Sequence, residues 1–319
     1  MSDIHKNKIE IIEFLRFIAA LFVVFVHIPV FGFGSFGVDI FFIISGFVMM
    51  YSTENNYKNF FLKRLIRILP SYYLFTFGVF IIALNFPNLL NNTTANLDHL
   101  LKSIFFIPFD KNGTGHFPIL FLGWTLNYEM FFYSLFALSL LINHKFRSIF
   151  TSCAILAIFI LCNSVKNYPF FVYGDLIVFE FILGMITYEL IFKKNYFNSV
   201  LILLTILIGL MINDVSIYNH RLIIYGFPIA FAFSLIIFKF KSIKLPSLFL
   251  ILGESSYALY LTHPYIIQFF DKITGWYSGN LFQKNLAVFL CILLTNLFAV
   301  LIYRCYELPI RNFLRKKTT

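Results

Sequence analysis

The stretch Phe14–Met50, FLRFIAALFVVFVHIPVFGFGSFGVDIFFIISGFVMM, decides the fold class. It reads as two apolar helices separated by a turn, Ile28–Phe36, that carries Pro29 and glycines. Each run approaches the roughly 20 residues that cross a hydrocarbon core as a helix. Arg16, His27 and Asp39 stand within this apolar sequence. An ionisable side chain in hydrocarbon costs about 3 kcal/mol or more, so such a residue is a candidate for function. Arg16 and His27 are eleven residues apart. At about 100° and 1.5 Å per residue that is three turns plus about 20°, which puts both on one helix face about 16 Å apart. A cation deep on one side and an imidazole nearer the other point to chemistry that reaches across a membrane.

Composition agrees with a membrane protein. Of 319 residues, 60% are hydrophobic and 13% charged, and Phe alone occurs 45 times; the mean hydropathy is +0.82. A soluble domain carries about 25% charged residues. No cleavable signal peptide is expected, because the first apolar run is long, contains Arg16 and lacks a small-residue cleavage site. The cysteines Cys153, Cys162, Cys291 and Cys305 form no CxxC pair, which argues against a disulfide framework and a zinc site. No metal is expected.

Ten apolar spans follow along the chain, at 9–29, 36–52, 66–85, 118–142, 148–163, 172–192, 198–213, 222–238, 250–270 and 285–306. The expected fold is therefore all-α, a polytopic bundle of about ten transmembrane helices in one domain, 1–319. The Asn-rich connection 86–117 is long enough for a small cap. With the N-terminus in the cytoplasm, the inside segments, Arg64 and Arg67 at the start of the third span included, hold seventeen Lys and Arg and the outside segments six. The positive-inside rule thus places both termini in the cytoplasm. The net charge of +10 is mostly this bias. It is spread over short loops, which disfavours a nucleic-acid partner.

His27 near the outer end of the first span and Asp39 at the outer start of the second are expected to lie close together. A carboxylate beside an imidazole fixes its tautomer and stabilises the imidazolium, which suits a general base. The alternative is an interfacial histidine that meets headgroups and water. Arg16 has its own alternative, an i,i+3 ion pair with Glu13. Arg64 and Arg67 in KRLIRILP read either as topology anchors or as a phosphate clamp for an anionic donor such as a CoA thioester. Glu129 in GWTLNYEMFFYS is a costly lone carboxylate whose expected partner is a buried cation such as Arg16 or another polar group. Trp124, Tyr128 and Tyr133 flank it as interfacial or packing aromatics. His263 in GESSYALYLTHPYII, with Tyr257 and Tyr260 within two turns, is either a satisfied core residue or part of a site.

These blocks, in this order, resemble the acyltransferase-3 family of bacterial membrane proteins. LRFIAALFVVFVH resembles its Arg–ten residues–His signature, and FGVDIFFIISGF its second-helix block. RLIRILPSYY resembles the basic entry to the third helix, WTLNYEMFFY the Trp–Leu–Glu–Phe–Tyr block, and SYALYLTHP the late Ser-Tyr-Leu-His block; YELPIR is a weaker match to a terminal Glu–x–Pro. The resemblance implies O-acyl transfer, with acetyl as the first candidate. The donor would be cytoplasmic acyl-CoA, and the acceptor a hydroxyl of a surface or lipid-linked glycan outside a bacterial cell membrane. It implies that Arg16 and His27 are essential and gives Arg64 and Arg67 a donor-side role, with Arg16 on the donor path; Asp39 and Glu129, as read from the residues above, complete the catalytic candidates. Trp124, Tyr257 and His263 are the candidates for substrate contact. Many relatives carry an extra secreted hydrolase-like domain, and none is expected before Thr319. A secondary transporter or flippase for an anionic or lipid-linked solute also uses buried Arg, His and Glu. Such transporters commonly show inverted repeats, and none is evident here.

Overall fold

Every apolar span read from the sequence contains a helix. The structure is a computed structural model, and it describes residues 9–90, 93–108, 117–165, 169–212, 221–275 and 280–316. The α-helices are α1 (Glu10–Val26), α2 (Gly37–Ser52), α3 (Phe60–Asn85), α4 (Leu97–Ile104), α5 (Trp124–Ile142), α6 (Arg147–Val165), α7 (Glu180–Tyr188), α8 (Tyr196–Ile212), α9 (Phe227–Phe240), α10 (Ser247–Glu254), α11 (Ser256–Thr274), α12 (Leu281–Ile302) and α13 (Leu308–Lys316). No strand occurs among the described residues. Five helical stretches are long and apolar enough to cross a membrane: Phe60–Asn85, Phe121–Ile142, Arg147–Val165, Leu222–Phe240 and Leu281–Lys316. Gly37–Ser52 and Tyr196–Ile212 are apolar but shorter.

Boundaries depart from the sequence reading for local reasons. The third helix begins at Phe60, six residues before the expected 66, because FFLKR is compatible with a helix and Asn59 adopts the left-handed conformation that starts it, at φ 54°. The expected span 172–192 begins as tight turns, Phe170–Gly174 and Leu176–Phe179, the second capped by the Asp175 carboxylate, which accepts from the Ile177 N–H. Ser255 divides the expected 250–270 helix into α10 and α11. Within the 86–117 connection, α4 is capped by the Asn96 side chain, which accepts from His99 N–H. It is tied to α3 by the Tyr72 and Tyr73 hydroxyls, which donate to the carbonyls of Ser103 and Ile104. The rest of that connection, 91–92 and 109–116, lies outside the described residues, as do the terminal residues 1–8 and 317–319 whose cytoplasmic placement was expected.

The chain divides into two units, Met1–Phe41 with Phe233–Thr319, and Phe42–Ala232. In the first unit α1, α11 and α12 share a core of small and branched residues, Ala20, Val24, Ile28, Ala258, Leu259, Val288, Cys291 and Ala299 among them. Small side chains allow the close backbone approach on which helix association in lipid depends. At Gly253 of α10 a Cβ would lie 2.3 Å from the Glu13 carbonyl oxygen, so the two helices meet backbone to backbone. Gly34, at φ +113°, and Gly37 lay the start of α2 against α1, where added Cβ atoms would fall 2.1 Å from Phe22 O and 2.4 Å from Ala19 O. That turn is what places Asp39 in the unit that holds His27. A capping box between Asn280 and Gln283 opens α12.

In the second unit α2 crosses α7 at a reciprocal glycine contact. A Cβ on Gly46 would lie 1.9 Å from Phe181 O, and one on Gly184 2.0 Å from Ile43 O. Aromatic rings fill the space beside the crossing. Phe42 and Phe132 lie 4.6 and 4.4 Å from the Phe181 ring, and Phe47, Phe136, Phe159 and Phe179 are fully buried. The turn after α2 is fixed by Glu54. Its carboxylate accepts from Arg147 Nη2 at 3.0 Å, from the Tyr188 hydroxyl at 2.8 Å and from Lys193 Nζ. Arg147, only 2% exposed, also donates to the carbonyls of Met50 and His144. Partial burial of Glu54 acts to raise its pKa, but the hydrogen bonds from Lys193, Tyr188 and Arg147 outweigh it and hold the carboxyl down to about 2, against 4.5 for the free group.

Two expectations follow. Replacing Gly46 with Val should separate α2 from α7 and lower the thermal midpoint of the detergent-solubilised protein by several degrees, as overpacking of about 1–3 kcal/mol implies; an unchanged midpoint would refute the tight crossing. Glu54→Gln should destabilise by about 2 kcal/mol, the scale of a charged hydrogen bond. Because the folded pKa is depressed, this stabilisation is complete above the free value of 4.5 and is lost as pH falls toward 2. The gap in midpoint between wild type and variant should therefore be constant from neutral pH to about 5 and narrow below it.

Candidate active site

The first unit carries the candidate base. α1 ends at Val26, and His27 follows as its C-cap, still near helical geometry at φ −92° and ψ −4°. Its Nδ1 lies 2.7 Å from the Val23 carbonyl oxygen one turn back. The same nitrogen lies 3.2 Å from Nε2 of His263, with the rings 4.9 Å apart at 67°. Nδ1 of His263 in turn lies 3.1 Å from the Leu259 carbonyl. A carbonyl oxygen only accepts, so each Nδ1 must carry the hydrogen, and these partners assign the tautomers. His27 Nδ1–H is shared between Val23 O and the lone pair of His263 Nε2. The lone pair of neutral His27 is then on Nε2. His27 is half-buried and His263 completely buried.

The other candidates of this unit lie on α1, α2 and α11. Asp39 is fully buried in the first turn of α2. Arg16 lies 3.6 Å from Glu13 with its side chain 16% exposed, so the i,i+3 pair weighed as an alternative is present. Tyr260 packs 6.2 Å from the His263 ring, and Tyr257, one turn nearer the start of α11, is half-buried.

The second unit gathers the other set. The Arg64 guanidinium turns inward from α3, donates to Ser52 Oγ at 2.8 Å and lies over the rings of Phe60 and Tyr133 at 5.4 and 6.0 Å. The Tyr133 hydroxyl donates to Glu129 Oε1, and Ser45 Oγ donates to the same oxygen at 3.0 Å. Glu129 thus has the polar partners its position in an apolar helix demanded, two hydroxyls, with Arg64 stacked on the ring of one. Arg67, one turn beyond Arg64, is half-buried. Trp124 opens α5, edge-on to Tyr128 at 6.0 Å. Sequence reasoning missed Ser45 and Ser52, and took Tyr133 for an interfacial or packing aromatic. The i,i+4 spacing of Glu129 and Tyr133 was a signal for one of these contacts; nothing local marks the serines as partners. Among the described residues no group of three or more His, Cys, Asp and Glu side chains is placed to hold a metal ion.

A chain whose described residues are all helix, turn or loop, with five helical stretches apolar enough to cross a membrane, belongs to the class of integral-membrane proteins. The chain is a member of the acyltransferase-3 family: residues 9–304 match the family's model, described as an acyltransferase domain. It is also similar to the exopolysaccharide production protein ExoZ of Rhizobium meliloti (strain 1021), 31% identical over 301 residues that cover 87% of this chain and 89% of that protein. No solved structure matches it significantly.

The inward placement of Arg64 separates it from Arg67. Arg64→Ala should lower the thermal midpoint of the purified protein clearly more than Arg67→Ala, because it removes a hydrogen bond to Ser52 and the cation over Tyr133. Equal losses in a melting series would refute the structural role of Arg64.

Proposed function

We propose that this acyltransferase is an O-acetyltransferase of the bacterial cytoplasmic membrane. It takes the acyl group from cytoplasmic acetyl-CoA and places it on a hydroxyl of an exopolysaccharide-type or lipid-linked glycan on the outer side. The chain would act as one domain with ten crossings and both termini inside, as the Lys and Arg distribution favours. The acceptor class is supported by the similarity to an exopolysaccharide production protein.

One observation carries this reading: the half-buried His27 presents Nε2 as its unprotonated nitrogen, with Nδ1–H engaged. Nε2 takes the proton of the acceptor hydroxyl as its oxygen attacks the thioester carbonyl. When the tetrahedral intermediate collapses, the C–S bond breaks and the same proton passes from Nε2 to the departing sulfur. The products are the acyl ester and free CoA thiol. Asp39, buried in the same unit, supplies negative charge that favours the transient imidazolium. Arg16 lies three turns earlier on the His27 helix face and stabilises the donor along its path. Arg67, with Arg64, receives the CoA phosphates, and Glu129 with Tyr133 and Ser45 fixes Arg64. Trp124 and Tyr257 are the substrate-contacting aromatics.

His27→Ala should leave expression and insertion intact and reduce acetyl transfer by about 100-fold or more, the scale of a lost general base. Protein reconstituted in sealed, oriented vesicles, given acetyl-CoA only on the face that bears the termini, should acetylate glycan enclosed on the other side. Near-normal transfer by His27→Ala would end the base assignment. Transfer only when donor and acceptor share a compartment would end the transmembrane route.

A further inference from the structure

We infer that His263 is a positioning residue for the reaction, holding the His27 ring in its reactive tautomer rather than touching the substrate; this rests on the general-base reading of His27. His263 has no exposed surface, whereas His27 beside it is half-buried. The buried ring is itself oriented from below. Its Nδ1–H is committed to the Leu259 carbonyl, which turns the Nε2 lone pair toward Nδ1 of His27. The next residue, Pro264, lies inside α11 and has no N–H. The Tyr260 carbonyl therefore loses its helical donor at this turn, and the His263 side chain interacts with the backbone there. The His-Pro pair gives the ring its fixed orientation in the middle of a helix.

The chemistry needs that orientation. Neutral imidazole has two tautomers, and only the one with Nδ1–H leaves Nε2 free of a proton. Val23 O alone supports that tautomer, but it belongs to the same helix that carries His27. His263 supplies a second acceptor from a different helix and ties the end of α1 to α11. When Nε2 takes the acceptor proton, Nδ1–H becomes an imidazolium donor, and the His263 lone pair strengthens its hold on it. No proton passes to His263 in this role. Loss of tautomer control in a serine hydrolase, which carries a carboxylate at the corresponding place, costs about 10⁴ in rate. The effect here is smaller, because Val23 O remains.

Two substitutions of similar polarity separate positioning from packing. In His263→Gln the amide reaches about the place of Nε2 and can accept from His27 Nδ1–H. In His263→Asn the amide stops at about the place of Nδ1, satisfies Leu259 O and cannot reach His27. Purified variants reconstituted in vesicles would be assayed with radiolabelled acetyl-CoA and glycan from the native host, beside His27→Ala. His263→Asn should lose about ten-fold or more in kcat, with KM for acetyl-CoA and glycan nearly unchanged, and His263→Gln should recover most of it. Equal kcat for Asn and wild type, equal loss in Asn and Gln, or a loss confined to the glycan KM would each overturn the positioning role. An active His27→Ala would instead remove the base reading itself, and the two failures are thereby distinct.

Discussion

A polar group inside a lipid-embedded helix must find its partner within the protein, because hydrocarbon offers none. That constraint organises both halves of this acyltransferase. Glu129 is met by two hydroxyls, Arg64 by a serine and two aromatic faces, and His27 by a carbonyl and a second imidazole. Each set draws on helices far apart in sequence. The partner of His27 lies 236 residues away, and that of Glu129 on α2 lies 84 residues away. Satisfying these groups and folding the chain are therefore one process: a helix that fails to dock leaves a buried charge or donor unpaired, at a cost of several kcal/mol.

Close docking in turn depends on residues without bulk. In lipid there is no hydrophobic drive between helices, so contact area must come from near approach. Gly46 and Gly184 let α2 and α7 touch through their backbones, and Gly253 does so for α10 against α1. Ser45 precedes Gly46, so the crossing that requires the glycine also sets the height at which the serine meets Glu129. The Ser-Gly pair in the second helix thus combines a packing role and a polar one in adjacent residues. A change that widens the crossing is expected to weaken the Glu129 cluster as well as the packing.

The helices and the family were legible in the sequence because they rest on short-range periodicity and on ordered blocks. The candidate residues were legible as isolated charges in apolar runs. Their partners mostly were not. His263 read as a lone core histidine or a substrate contact, since no local pattern connects it to the end of α1. Ser45 and Ser52 carry no charge and read as ordinary small residues in a membrane helix. The Arg16–Glu13 pair and the Glu129–Tyr133 contact lie within one turn and were accessible to the i,i+3 and i,i+4 rule, though only the first was considered. Helix ends were misplaced where a single residue decides them, as at Asn59, Asp175 and Ser255.

The position of His27 at a helix C-terminus has a chemical consequence of its own. The last carbonyls of α1 carry partial negative charge, equivalent to about half an elementary charge at the helix end. One of them, Val23 O, accepts directly from the ring. A positive imidazolium formed at this point is stabilised without any group having to move, since the helix, the carbonyl and the second imidazole are in place before the proton arrives. A base in mid-helix would face carbonyls already committed to the i+4 N–H groups and would gain little from the dipole. Such preorganised dipoles are most effective where water is excluded. The turn Ile28–Phe36, with Gly34 and Gly37 folding α2 back on α1, ends the helix at His27. The same glycines that shape the turn therefore fix where the His27 ring stands at the end of α1.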